Sequence, residues 1–236
     1  MKIIYQLLFA TALGMATIPA NAGEVKLSTN KAAGQTVTVA ADAGITAAVT
    51  WADGTKESFY SDAMPKEFTV KSADFTISSD DDITLLYLPN DGLTSINVIG
   101  IRTTLQKLYC PGNELTELDL NAATKLTELD CQDNQLTSLR FGSKVVSILN
   151  CAGNKLTSTE LTGVKELTSL VCAGNALNEV KHDASMEKIK VFIGQDNQLD
   201  KLDLSKATNL KRVVASRNQL TNLALKSTVL SDLMVS

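Results

Sequence analysis

Hydrophobic positions recur along residues 83–236 with a period close to 21 residues. An apolar residue opens each repeat, and a second apolar residue follows three positions later. The opening residues are Ile83, Leu105, Leu126, Val146, Leu167, Ile189, Leu210 and Leu230. The second-column residues are Leu86, Leu108, Leu129, Leu149, Leu170, Phe192, Val213 and Leu233. Successive opening residues lie 20 to 22 positions apart, so the pattern predicts a solenoid of stacked turns that share one core.

A third apolar column and a polar column follow in each repeat. The third column lies two positions after the second and contains Cys110, Cys131, Cys151 and Cys172. Three positions further on, Asp91 is followed in the later repeats by Asn113, Asn134, Asn154, Asn175, Asn197 and Asn218. Residues two apart in a strand point to the same side, so these columns predict a parallel sheet with inward rows. We interpret the asparagines as structural, because an amide can pair backbone groups where the chain leaves the strand.

Apolar runs such as Leu115 to Leu120 predict the opposite wall of each turn. They are too short for regular helices, so they favour extended chain and tight turns. Residues 180–188 lack this pattern, which predicts a looser bulge. The prediction for residues 83–236 is about seven turns plus a partial last one, with a parallel sheet on one wall, a mostly extended outer wall and little helix.

Between residues 23 and 82 the apolar residues alternate with a period of two, which predicts strands. Ile45, Ala47, Val49 and Trp51 form one such series, and the Asp53-Gly54 pair after it suits a tight hairpin. We interpret this segment as a small all-β domain that covers the exposed hydrophobic end of the first turn. The alternative is an independent carbohydrate-binding or adhesive module with Trp51 as a stacking platform.

The first 22 residues have the pattern of a secretory signal peptide. Lys2 precedes an apolar stretch over residues 3–18, and Ala20-Asn21-Ala22 is a small-x-small cleavage site. The mature chain is therefore expected to begin near Gly23 and to be secreted, whether extracellular, periplasmic or associated with the cell surface. No later segment is long and apolar enough to predict a membrane span.

The pattern LxxLxCxxNxL followed by LxLxxxT resembles the cysteine-containing, 21-residue leucine-rich repeats of bacterial surface proteins, the internalin type. The resemblance covers Ile83 to Ser236 and departs from the type at Gly194 and Ala215, where the cysteine column lapses, and in showing no C-terminal cell-wall anchor. It implies a leucine-rich-repeat solenoid in a protein that is secreted or surface-attached and binds proteins or glycans. The WxDGT hairpin at Trp51 resembles a small sandwich found ahead of such repeats in secreted proteins of gut bacteria.

Charge and reactive residues favour a non-enzymatic protein without a cofactor. The net charge is −4, and the lysines and arginines are scattered singly along the chain. This predicts no basic stripe and disfavours nucleic acid as a partner. His182, the only histidine, lies in a polar loop beside Asp183, and Asp80-Asp81-Asp82 is interpreted as a solvated linker instead of a calcium site.

The spacing of the four cysteines predicts buried free thiols. Because they occupy one repeat position, their Cβ atoms should lie about 4.8 Å apart, beyond the roughly 3.5–4.5 Å that a relaxed disulfide prefers. Strained disulfides are the remaining alternative. A linear row surrounded by leucines does not converge on one point, which argues against a metal site.

The outward residues of the predicted sheet are the candidate binding site. One of its two outward columns is apolar over the last four turns, and with Val191 from the other column it gives a patch of Val171, Val191, Ile193, Val214 and Met234. Tyr87, Tyr109 and Ile148 extend the candidate set toward the first turns. An exposed apolar patch indicates a contact surface for a protein or glycan, although strands also favour β-branched residues in general. The alternative function is self-association through the same patch or through the open edge of the last strand, residues 230–236.

Overall fold

The computed structural model describes residues 23–183 and 186–235. Residues 1–22, interpreted above as a signal peptide, lie outside the described residues. In the described part of the chain, no helix has the length and apolar character needed to cross a membrane.

The N-terminal region consists of five antiparallel strands. They are β1 (Gly23–Thr29), β2 (Thr36–Trp51), β3 (Lys56–Asp62), β4 (Lys66–Thr69) and β5 (Asp74–Ser79). β5 lies between β1 and β2, while β3 and β4 pair with β2. Alternate residues such as Val25, Leu27 and Val49 are buried, because successive side chains of a strand point to opposite faces. The Asp53-Gly54 turn joins β2 to β3, and Gly54 has the positive φ of +85° that such turns use.

Ile45 is the exception to the alternating series that continues through Ala47, Val49 and Trp51. The alternation places Ile45 on the same face as Ala47 and Val49, but Ile45 is 73% exposed. The pairing of β2 with β3 shifts register between Asp42 and Thr46, and Gly44 within this interval has a φ of +78°. A bulge of this kind changes the face on which the next side chain lies.

Residues 83–235 form the predicted parallel sheet of stacked turns. Its strands are β6 (Leu85–Tyr87), β8 (Lys107–Tyr109), β10 (Glu128–Asp130), β12 (Ile148–Asn150), β14 (Ser169–Val171), β16 (Val191–Ile193), β18 (Arg212–Val214) and β20 (Asp232–Met234). Neighbouring strands pair residue for residue, so Leu129 lies between Leu108 and Leu149, and all three are buried. The structure confirms the predicted leucine-rich-repeat solenoid with inward rows of equivalent residues.

The outer wall is built from short strands and turns. These strands are β7 (Leu93–Asn97), β9 (Asp119–Leu120), β11 (Arg140–Phe141), β13 (Ser158–Glu160), β15 (Glu179–Lys181), β17 (Lys201–Leu204) and β19 (Asn222–Leu225). A 3-10 turn, Ile99–Ile101, follows β7. The prediction of a looser bulge over residues 180–188 is wrong at its start, because Val180 and Lys181 belong to β15 and pair with β13.

The N-terminal strands continue into the first turn of the solenoid. β2 pairs antiparallel with β6, and β1 pairs antiparallel with β7. One cluster of buried apolar residues extends from Val25 to Ala215. These contacts support the interpretation of residues 23–82 as a cap for the solenoid, while the boundary at residue 82 stays a prediction.

Candidate interaction face

The asparagine column ties each turn to the preceding turn. The Leu136 N–H donates to Asn154 Oδ1 at 3.0 Å, and Asn154 Nδ2 donates to the carbonyls of Cys131 at 3.0 Å and Cys151 at 3.1 Å. The same three-way bridge occurs at Asn113, Asn134, Asn175, Asn197 and Asn218. The fold therefore uses these amides to satisfy backbone groups shielded from water, and they are not turned toward a ligand.

The cysteine column contributes packing. Cys110, Cys131, Cys151 and Cys172 are fully buried free thiols. Burial raises the pKa of the Cys151 thiol to about 12, and burial also raises the pKa of the other three. A thiol that stays protonated is a poor nucleophile and a poor metal ligand. Among the described residues, no group of His, Cys, Asp and Glu is placed to hold a metal ion.

The lapse of the cysteine column at Gly194 is offset by its neighbour. The second-column residue of this turn is Phe192, where the other turns have leucine or valine. A Cβ atom at position 194 would lie 2.7 Å from Cε1 and Cζ of the Phe192 ring, and 3.5 Å from Cys172 Sγ. The phenyl ring therefore occupies the space that a cysteine side chain fills in other turns.

Asp91 takes the asparagine position in the first turn, where the solenoid meets the N-terminal strands. Its side chain is 1% exposed and its Oδ1 accepts a hydrogen bond of 2.7 Å from the Thr38 N–H. Lys31 Nζ lies 3.3 Å from the same oxygen, while Oδ2 is buried and has no hydrogen-bond partner. Burial raises the pKa of the Asp91 carboxyl to about 6, against the opposing effects of the Thr38 N–H and Lys31.

Replacing Asp91 by asparagine is expected to stabilise the protein at neutral pH. The native state binds its proton more tightly than the unfolded chain, so native stability falls as the pH rises from about 4 to about 6. The loss approaches about 3 kcal/mol above that window. We expect Asp91→Asn to raise the free energy of unfolding by about 1–3 kcal/mol at pH 7.5, because the neutral amide avoids the cost of burying a charge. The loss of the pair with Lys31 keeps the gain below the full amount. Urea unfolding of the wild type and Asp91→Asn at pH 3.5 and at pH 7.5 measures this difference in the free energy of unfolding.

The gain should disappear below the window, where Asp91 is protonated in both states. Asp133→Asn, at an exposed position one residue before Asn134, controls for the loss of one negative charge. A gain of equal size at pH 3.5 and pH 7.5, or an equal gain in Asp133→Asn, would show that burial of the Asp91 charge is not its cause.

The outward face of β6, β8 and β10 is polar and internally paired. Tyr109 donates a short hydrogen bond to Glu128, and Lys107 Nζ lies 2.7 Å from the same carboxylate. The Tyr109 ring meets the Tyr87 ring edge to face, with centroids 6.4 Å apart. Burial and Glu128 together raise the pKa of the Tyr109 hydroxyl. This half of the sheet face therefore presents a pre-arranged polar network.

The outward face of β14 to β20 carries an apolar column. Val171, Ile193, Val214 and Met234 stand in register in one column, and Val191 occupies the adjacent column beside Ile193. Val171, Val191 and Ile193 are half-buried, and Met234 is 48% exposed. We call these five residues the apolar strip.

Two expectations about this face need adjustment. Val214 is only 8% exposed, so its predicted exposure is wrong; its in-register neighbours Ile193 and Met234 lie one strand spacing away on either side and cover it. Ile148 is 42% exposed but is separated from Val191 by the polar Ser169. The structure thus brings the strip together and leaves Ile148, Tyr87 and Tyr109 on the polar half.

The residues considered for other chemistry have structural contacts. The His182 ring nitrogen Nδ1 lies 2.9 Å from the backbone carbonyl of Asp183, and Asp183 Oδ2 accepts a hydrogen bond from the Gly163 N–H. Trp51 is 2% exposed and packs on Phe75 with ring centroids 5.0 Å apart. The alternative that Trp51 is an exposed stacking platform is therefore wrong, because the ring belongs to the N-terminal core.

Sequence reasoning missed a row of lysines along one long edge of the solenoid. This edge consists of the segments that lead from the outer wall into the sheet strands of the third to eighth turns. Its lysines are Lys125, Lys144, Lys165, Lys188, Lys190, Lys206, Lys211 and Lys226. The prediction that the chain has no basic stripe is wrong for this edge, because lysines about 21 residues apart in sequence lie on neighbouring turns. Counting charged residues in the segment before each sheet strand would have found this cluster, although its lysines occupy four different repeat positions.

No protein-family model and no curated protein matches this chain. Among solved structures, the functional domain of InlJ from Listeria monocytogenes, described as including a cysteine ladder, is 28% identical with a TM-score of 0.52, over 68% of this chain and 41% of that domain. YopM from Yersinia enterocolitica WA-314 is 21% identical with a TM-score of 0.45, over 64% and 46% of the two chains. The internalin InlF from Listeria monocytogenes is 17% identical with a TM-score of 0.33, over 67% and 71%. The match to InlJ thus spans about two fifths of that domain's length.

Proposed function

The chain is a leucine-rich-repeat solenoid whose cysteine ladder resembles that of InlJ, and we propose that it is a secreted, non-enzymatic interaction protein. It binds a protein or a glycan through the exposed face of its repeat sheet. Secretion follows from the signal-like pattern of residues 1–22, and the binding role is what the internalin-type resemblance implies.

The observation that carries this proposal is the apolar strip on a sheet face that no helix of the described chain covers. Strands β14, β16, β18 and β20 place these residues in register, so they form one flat surface instead of scattered contacts. Arg212 and Asp232 pair beside the strip at 3.1 Å. An apolar centre with a polar margin is the usual composition of a recognition surface.

The polar half of the face extends the same surface. Tyr87, Tyr109 and Ile148 lie on strands continuous with the strip, and tyrosine contributes large contact area with few rotatable bonds. We assign them contacts at the margin of the bound partner. The buried thiols and the backbone-paired His182 offer no activated nucleophile to a substrate, which supports binding over catalysis.

Ile193→Asp tests this assignment, since it places a charge at the centre of the strip. The wild type and the variant are immobilised and exposed to the same fraction of extracellular proteins and glycans, and the retained molecules are compared. We expect a partner bound by wild type to be lost from Ile193→Asp, at least tenfold, because a buried interface cannot leave a carboxylate unpaired.

Ile45→Asp is the matched control, because Ile45 is an exposed isoleucine in the N-terminal region. Its retained set should equal that of the wild type. Equal capture by Ile193→Asp and the wild type would overturn the proposal. Light scattering of the same proteins separates the self-association alternative, in which a wild-type dimer dissociates on Ile193→Asp.

A further inference from the structure

The lysine edge concentrates positive charge in an acidic protein. Its segments, residues 122–127, 142–147, 163–168, 186–190, 206–211 and 226–231, carry eight lysines and two glutamates, Glu166 and Glu187. All eight lysines are exposed. Three further carboxylates lie beside these segments: Asp183 accepts a hydrogen bond from the Gly163 N–H, Glu160 lies close to Lys144, and Asp203 lies close to Lys206. With these included, the edge has an excess of three positive charges in a chain whose net charge is −4. The fold has separated its charges, which creates a positive potential along one side.

Backbone contacts between consecutive turns bring two pairs of these lysines together. The Lys165 N–H donates to the Lys144 carbonyl at 3.1 Å, and the Lys211 N–H donates to the Lys190 carbonyl at 2.8 Å. Lys144 Nζ reaches the next turn and donates to the Thr162 carbonyl at 2.8 Å. With turns about 4.8 Å apart, the row from the third turn to the eighth is about 24 Å long.

The row ends at a shallow pocket that suits an anionic group. The pocket has a volume of about 450 Å³ and is lined by Lys206, Lys226, Ser205, Thr208 and Glu187. Two ammonium groups and two hydroxyl groups can donate to a sulfate or carboxylate here. Elsewhere on the edge, one of the two glutamates is already neutralised, since Lys188 Nζ lies 2.6 Å from Glu166.

We propose that the lysine edge binds an acidic polysaccharide laid along the solenoid axis. A band of point charges on flexible stems along one edge suits a linear polyanion, and the serine and threonine hydroxyls beside it can pair sugar hydroxyls. The edge segments contain no aromatic residue and no arginine, which are the residues that stack on or read nucleobases. This surface is separate from the apolar strip and does not depend on the function proposed for it.

A charge-matched comparison tests the proposal with the full chain. One variant carries Lys190→Gln, Lys206→Gln, Lys211→Gln and Lys226→Gln. Its control carries Lys56→Gln, Lys155→Gln, Lys181→Gln and Lys201→Gln, four exposed lysines located off the edge. Binding of a fluorescent heparin dodecasaccharide is measured by anisotropy at about 50 mM and about 200 mM salt.

We expect the edge variant to bind heparin at least tenfold more weakly than the wild type, and with a shallower salt dependence. The affinity of the control variant for heparin should lie within about twofold of that of the wild type, because the four lysines replaced in it do not contact the polysaccharide. Replacing heparin by polygalacturonate, which carries carboxylates and no sulfates, shows whether the edge recognises carboxylate or sulfate groups. Uncharged dextran should not bind.

Three outcomes would overturn the proposal. One is no heparin or polygalacturonate binding by the wild type at the lower salt concentration. Another is an equal loss in the edge variant and its control, which would indicate a response to net charge alone. The third is tighter binding to duplex DNA, or to vesicles containing phosphatidylglycerol, than to either acidic polysaccharide.

Discussion

Replacing Asn154 by alanine is expected to lower the free energy of unfolding by about 3 kcal/mol or more. The substitution leaves the buried Leu136 N–H without its acceptor, at a cost of about 1–3 kcal/mol, and removes the amide's donated bonds to Cys131 and Cys151. The carbonyl of Cys131 keeps a second donor, Asn134, which limits the loss. Equilibrium unfolding in urea measures the change in the free energy of unfolding. The dependence of that free energy on urea concentration is compared between the wild type and the variant.

Asn178→Ala is the matched control for this substitution. Asn178 lies in the following repeat and is exposed, so its loss should cost less than about 0.5 kcal/mol. Asn154→Asp adds a second comparison, because the carboxylate keeps an acceptor and loses the donor that faces the carbonyls. A change below about 1 kcal/mol in both Asn154 variants would contradict a net stabilising role for the asparagine column.

Gly194→Cys is expected to destabilise the protein by about 3 kcal/mol, although it restores the column consensus. The new Cβ would lie 2.7 Å from two atoms of the Phe192 ring, closer than side chains approach in packed cores. Phe192→Leu alone should cost about 1–2 kcal/mol, because it leaves a cavity above Gly194. Thermal and urea unfolding of each variant give the two values.

The double variant Phe192→Leu with Gly194→Cys should be more stable than Gly194→Cys alone. It recreates the leucine and cysteine pair that the preceding turn has at Leu170 and Cys172, so the two changes compensate in volume. We expect a favourable coupling of about 2 kcal/mol. Additive effects would contradict the view that the Phe192 ring fills the cysteine space. Ala215→Cys is the control, since its second-column neighbour is the smaller Val213, and it should change stability by less than about 1 kcal/mol.

The repeat spacing alone establishes which residues share a row, because a solenoid maps equal sequence positions onto equal places in successive turns. This explains why the parallel sheet, its inward leucine rows and the placement of the apolar strip on one face follow from the pattern. The resemblance to internalin-type repeats agrees with the same columns. The repeat period already specifies every contact between distant residues on which these conclusions depend.

Exposure and local register depend on neighbours that the pattern does not describe. Val214 is covered by Ile193 and Met234, and a bulge turns Ile45 outward, because burial is set by adjacent strands and backbone geometry as well as by hydrophobicity. Sequence order likewise does not pair Asp91 with Thr38 and Lys31, 53 and 60 residues away. Those contacts exist only because the N-terminal strands fold back onto the first turn.

The periodic pattern was thus sufficient for the solenoid, since each turn can bury its leucines only against the equivalent leucines of the next turn. The tertiary structure alone decided which polar groups became neighbours. It placed Lys144 next to Lys165, and Lys190 next to Lys211, on one edge, because residues far apart in the chain lie one strand spacing apart once the turns stack.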